Sequence, residues 1–310
     1  MIAGEDGDNG STQNTPSQPS DRSDVASQAA AVHEELAPVY ETLSEITIVK
    51  NVEITYTLSQ YEIFDARSLF DQLESAKSVF DEATPAGGTP SKELEAAQGS
   101  IILAEIRLTI YGRLYDIASS ESQFISLTES EQFSDAASIL EDSLKWTNEI
   151  NQASQAANEA ITRFEANNLP APELYSLSAI EAEAEAFNNP SQLTAPISAL
   201  QAWSNGLQNG ITASLLADQE RFEAAYGGYQ AAISRLKIAQ ENFSRFETAP
   251  PVFDTAVGRW DCGIQQLKGG YETAAEAMAE AQNGNEEKAS ELSKEANQTI
   301  SEYRSGCFES

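Results

Sequence analysis

The chain has 310 residues, 49 of them acidic against 18 basic and one histidine, a formal charge of −31. A nucleic-acid partner needs clustered Lys and Arg to displace condensed counterions, and no cluster occurs, so DNA and RNA binding are excluded; an anionic membrane surface repels the chain for the same reason. An apolar content of 41% is that of a folded protein, but self-repulsion of this size calls for bulk cations as counterions.

In chain order, Met1 to Gly4 lead at once into Glu5, Asp6 and Asp8, which is not the charged start and apolar run of a signal peptide. Residues 4–30 form a Gly/Ser/Asn/Asp/Pro tract, so 1–30 is expected to be a disordered acidic linker. Beyond it apolar residues recur at steps of three and four, the period of an amphipathic helix. The expected helices lie near 24–44, 52–83, 91–126, 130–166, 172–187, 191–208, 211–247, 252–282 and 285–304. Residues 46–58 alternate at period two through Ile46, Ile48, Val52, Ile54 and Tyr56; a hairpin is the alternative there, with helix favoured because a lone hairpin is marginal.

The most regular pattern runs from Leu94 through Ala97, Ile101, Ala104, Leu108 and Tyr111 to Ile125; a second runs from Phe253 through Trp260 and Tyr271 to Ala281. A third segment alternates Leu215, Phe222, Tyr229, Leu236 and Phe243 with Ala225, Ala232 and Ala239, large against small, which lets two helices approach closely. Thr128 with Glu131 has the spacing of a capping box and marks the start of the helix near 130. The expected fold is all-α: long antiparallel helices in two three-helix bundle-like units, 31–168 and 211–310, with a helical connector over 169–210. No segment is a membrane span, since the best run, Ile101 to Gly112, is broken by Glu105 and Arg107.

Candidate chemistry is sparse. His33 lacks the second histidine of a zinc-protease helix and reads as an exposed helix residue, and a single histidine removes most histidine-dependent catalysis. Asp6, Asp8 and Asn9 miss the spacing of a calcium loop. Glu181, Glu183 and Glu185 alternate around a helix and read as a solvated face. Gly227-Gly228 and Gly269-Gly270 lie within helical patterns and are expected to permit close helix contact or a kink. Trp146 lies off the apolar side of its helix and is the candidate contact surface, as aromatic anchors are enriched at interfaces. Cys262 and Cys307 form a disulfide or remain two buried free thiols; the residues leave both open. No catalytic, cofactor-binding or metal-ligating residue is assigned.

Three resemblances add to this reading. The acid excess, with ten Arg and eight Lys in the whole chain, resembles proteins of salt-loving archaea. Ile2-Ala3-Gly4 is similar to the end of a lipoprotein cleavage box, which in secreted haloarchaeal lipoproteins precedes a stalk of this composition; position 5 is Glu where the lipid-bearing Cys belongs. Phe222, Ala225, Tyr229 and Ala232, and again Gly284, Ala289 and Ala296, are similar to the second helix of tetratricopeptide repeats, without that family's period or first-helix pattern. These resemblances, with the long helices, imply a non-enzymatic structural or protein-interaction molecule at a halophile's cell surface or outside the cell, with a protein partner and a lipid tether if the true start lies upstream; the start as written, without a signal peptide, equally fits the cytoplasm. A soluble ligand-binding or sensory bundle is the alternative.

Overall fold

The computed structural model describes residues 19–45, 49–50, 53–54, 66–84, 90–170, 172, 174–189, 191–244 and 257–307. Among them the chain is all-α. Nine helices follow in order: α1 Pro19–Glu45, α2 Ala66–Ala83, α3 Lys92–Glu129, α4 Phe133–Ala166, α5 Leu177–Phe187, α6 Ser191–Asp218, α7 Phe222–Phe243, α8 Val257–Gln282 and α9 Glu286–Cys307. α1, α2 and α3 pack on one another; then α4 lies on α3, α5 and α6 on α4, α7 on α6, α8 on α7 and α9 on α8. The buried side chains form one continuous cluster that runs from Ala29 to Tyr303.

The expected apolar positions supply that cluster. Leu94, Ala97, Ile101, Ala104, Leu108 and Tyr111 of α3 are buried, as are Phe133, Ala136, Leu140, Ile150, Ala157, Ile161 and Phe164 of α4. On α7 the large and small series sorts as its spacing predicts, with Tyr229, Leu236 and Phe243 buried beside Ala225, Ala232 and Ala239. Ala232 and Leu236 meet Gly206 of α6, and Gly228 meets Ala213, so α6 and α7 run antiparallel at close range. Ser91 caps α3 by accepting from the Leu94 amide at 3.3 Å, and Ser176 caps α5 by accepting from Ala179 at 3.4 Å.

Three hairpins, α3/α4, α6/α7 and α8/α9, close with the same turn. In each, one residue with positive φ follows the first helix: Glu131 at 61°, Glu220 at 58° and Gly284 at 79°. Its amide donates to the carbonyl three residues back, and the next amide to the carbonyl five back, as in Gln132 to Leu127, Arg221 to Leu216 and Asn285 to Glu280. A buried alanine follows at the same offset each time, Ala136, Ala225 and Ala289. Of the segments compared above with tetratricopeptide second helices, Phe222 to Ala232 lie in α7 and Ala289 and Ala296 in α9, the second helices of two of these hairpins, while Gly284 is the turn residue before α9.

Several expectations are corrected. The linker expected over 1–30 gives way to helix at Pro19, because Ala29 and Val32 continue into the buried series Leu36, Val39, Tyr40 and Leu43; residues 1–18, with the cleavage-box segment, lie outside the described residues. The helix expected from 52 begins instead at Ala66. Val49–Lys50 and Glu53–Ile54 pair as a two-residue antiparallel ladder with Val49 opposite Ile54. The β-branched, period-two residues prevail there, and contact with α5 supports a pairing that would be marginal alone.

Thr128 and Glu131 do not cap α4: Thr128 ends α3, Glu131 is the positive-φ turn residue, and the N-cap position is Gln132, whose side chain makes no capping bond. The break expected between 208 and 211 is absent, and the boundary drawn at 210 falls inside the continuous α6. Gly210 serves packing there rather than a turn, since a Cβ on it would lie 2.2 Å from the Tyr271 ring of α8. The break assigned to Pro250-Pro251 lies outside the described residues.

Candidate functional site

The densest concentration of polar side chains in the interior lies where α1, α3 and α5 meet. Ser100, Arg107 and Tyr111 sit on α3 at spacings of seven and four, which places them on one face. α1 brings His33 and Tyr40, again seven apart, Tyr175 comes from the residues just before the N-cap of α5, and Glu183 from the body of α5. Arg107 is 6% exposed and binds Glu183 through two parallel bonds, Nε to Oε2 and Nη2 to Oε1, both 2.9 Å. Tyr111 donates its hydroxyl to Glu183 Oε1 at 3.1 Å and accepts from Arg107 Nη2 at 3.3 Å. Geometry of this bidentate kind is the strongest that an Arg and a carboxylate make.

A second half of the cluster centres on Ser100. Its hydroxyl donates to the Ala96 carbonyl at 2.9 Å, accepts from Tyr175 at 3.1 Å and lies 3.4 Å from His33 Nε2. Tyr40 donates to the Ser100 carbonyl at 2.6 Å and stacks on Tyr175 with ring centroids 4.1 Å apart. Burial pushes the Tyr40, Tyr111 and Tyr175 hydroxyls above their ordinary pKa. Burial also works against the Arg107 charge, but Tyr111 and Glu183 more than offset it and hold the guanidinium above its usual value. The three tyrosines are therefore held neutral and Arg107 charged.

This cluster has the composition of an active site and the bonding of a latch. Ser100 donates its proton to a helix carbonyl, with His33 Nε2 at 3.4 Å on its other side. Arg107 and Glu183 spend themselves on each other. What the arrangement does is fasten α5 to the α1/α3 pair through groups that can be satisfied only when all three helices are in place.

Two readings from the sequence are corrected. His33 is half-buried and beside Ser100 rather than exposed. Glu183 leaves the solvated face of α5, its side chain 14% exposed, while Glu181 and Glu185 remain in solvent. Arg107 escaped notice because a basic residue inside an apolar run registers only as an interruption. Its one signal was that interruption, in the most regular apolar pattern of the chain.

The other sequence candidates lie apart from the cluster. Trp146, the candidate contact surface, is half-buried and packs against the core; the more exposed large apolar side chains include Leu215 at 57% and Tyr115 at 45%. Cys262 and Cys307 are joined by a disulfide, Cα atoms 5.7 Å apart, which ties the first turns of α8 to the last residue of α9 at the end away from their turn. One of each glycine pair is a contact point: a Cβ on Gly228 would lie 2.9 Å from that of Ala213, and one on Gly270 2.6 Å from Ile300, whereas Gly227 and Gly269 face open space.

A surface cleft of about 260 Å³ separates the start of α3 from the end of α4, with Gly99, Ile102 and Phe164 as its apolar floor and Glu95, Gln98 and Arg163 at its rim. No group of three or more His, Cys, Asp or Glu among the described residues is placed to hold a metal ion. No described helix is long and apolar enough to cross a membrane. Comparison with known proteins finds no match to a family model, a curated protein or a solved structure.

Proposed function

We propose that this chain is a non-enzymatic structural or protein-interaction molecule that works through helix faces at the cell surface of a halophile. The observation that carries the reading is the run of long antiparallel helices in which three hairpins close with one turn device, an architecture that creates extended surface and, in its buried polar groups, spends them on one another. The repeated turn and the buried alanine after it also support a divergent helical-repeat relationship of the tetratricopeptide kind. A disulfide argues for an oxidising compartment, and the charge of −31 for an environment rich in cations.

Treating intact cells in their own molar salt with a membrane-impermeant cross-linker tests this. The protein is expected in an adduct with a protein partner. Reaction only after lysis, or recovery of the uncross-linked chain alone, overturns the reading.

A second reading, a small-ligand or sensory module, draws on the cleft between α3 and α4, which is below the usual volume of a drug-sized pocket. Under that reading a metabolite of amino-acid size raises the melting temperature in molar KCl, and substitution of Phe164 or Gly99 abolishes the shift.

A further inference from the structure

Among the described residues α9 packs extensively on one helix only, α8, whereas α7 lies between α6 and α8, and α4 against α3, α5 and α6. The interface of α9 is thin. Its buried residues are Ala289, Ala296, Tyr303 and Cys307, and the larger Leu292 and Ile300 are only partly covered. The first three stand seven apart on one face, a single buried side chain every two turns, and two of them are alanines. α7, by contrast, buries Tyr229, Ile233, Leu236 and Phe243 beside its own alanines.

The facing positions of α8 are small or polar as well. A Cβ on Gly270 would lie 2.6 Å from Ile300, and one on Gly306 of α9 3.2 Å from the Gln266 amide. Gln266 Oε1 is buried there without a hydrogen-bond partner, a desolvation cost that docking incurs and release removes. The ion pairs of Lys288 with Glu276 and Glu280 sit near the turn, and Lys288 is exposed, so in molar salt they add little. Helices in proteins owe most of their stability to packing of an apolar face, so α9 needs a further restraint. Cys307 supplies it. It is the last residue of α9, at the end opposite the Gly284 turn, where a terminal helix begins to fray, and its bond to Cys262 pins that end on α8.

We propose that the Cys262–Cys307 disulfide is a redox lock on α9: closed, it holds α9 along α8; open, it lets α9 swing away about the Gly284 turn while the other helices stay folded. Opening is exchange with a dithiol. A thiolate of the reagent attacks the sulfur of Cys262, the less buried of the two, and expels the Cys307 thiolate, which takes up a proton. The second thiol of the reagent then displaces Cys262 from the mixed disulfide. The chain ends with two thiols, having gained two electrons and two protons, and the dithiol ends as its disulfide. Closing is the reverse, with a disulfide as oxidant. The lock is built into the chain and does not depend on where the chain resides.

Hydrogen–deuterium exchange of the full chain in molar KCl, read by mass spectrometry, tests this on the disulfide form, the form reduced by dithiothreitol, and the variants Cys307→Ser and Cys262→Ser. Amides of residues 286–307 are expected to exchange about tenfold or more faster in the reduced form and in both variants than in the disulfide form. Amides of α3 and α4 should exchange at unchanged rates in all four, which also establishes that each form folds. Reoxidation of the reduced chain with oxidised glutathione should restore the protection of α9.

Equal protection of α9 in every form overturns the lock, because packing alone then holds the helix. Faster exchange that spreads to α3 and α4 equally overturns it, because the disulfide then supports the whole fold rather than one helix. Failure of protection to return when the disulfide has re-formed overturns the reversible switch.

Discussion

Arg107 and Glu183 show how one residue pair sets the arrangement of three helices. Arg107 is buried and Glu183 only partly exposed, so removing either leaves a largely uncompensated charge, a loss of up to roughly 3–5 kcal/mol. Arg107→Met alone and Glu183→Leu alone are therefore expected to lower the denaturant midpoint sharply, while the double variant regains most of the loss. If the losses add in the double variant, the pair does not act as a unit. The glycines of α7 give a contrast between neighbours. Gly228→Ala drives a methyl against Ala213 and should cost about 1–3 kcal/mol. Gly227→Ala enters open space and should gain roughly 0.5–1 kcal/mol of helix propensity. Thermal unfolding of the two variants checks the opposite signs.

At the scale of elements, the helices were legible in the sequence because burial on one side imposes a period that side-chain chemistry cannot disguise. α3, α4, α8 and α9 start or stop within a few residues of the positions expected from apolar spacing and turn residues. The departures each have a local cause invisible to periodicity. The helix expected to stop at 208 runs on through Gly210, which is where Tyr271 of a helix some sixty residues later presses on α6. Thr128 and Glu131 have capping spacing, yet the turn is decided by Glu131 adopting positive φ, which no propensity announces. The polar cluster was illegible for the same reason: His33, Ser100, Arg107 and Glu183 come together only through packing of α1, α3 and α5, and none has a distinctive neighbour in sequence. The Cys262 and Cys307 pairing spans 45 residues, and in chain-entropy terms such a link contributes about 4 kcal/mol.

For the whole molecule the charge dominates. With 49 acidic against 18 basic residues, most acidic side chains have no basic counterpart within the chain to pair with, and under the proposed reading salt screens them. Helical circular dichroism is expected to be stable in 3 M KCl and to collapse near 0.05 M, where the Debye length exceeds about 10 Å; an unchanged spectrum contradicts adaptation to brine. The central claim, a surface protein of an oxidising and saline exterior, is tested most directly by the intact mass, under non-reducing conditions, of the native protein taken separately from membrane, medium and cytosol. The account predicts recovery from membrane or medium with the two thiol hydrogens missing. A chain confined to the cytosol with both cysteines reduced would contradict it.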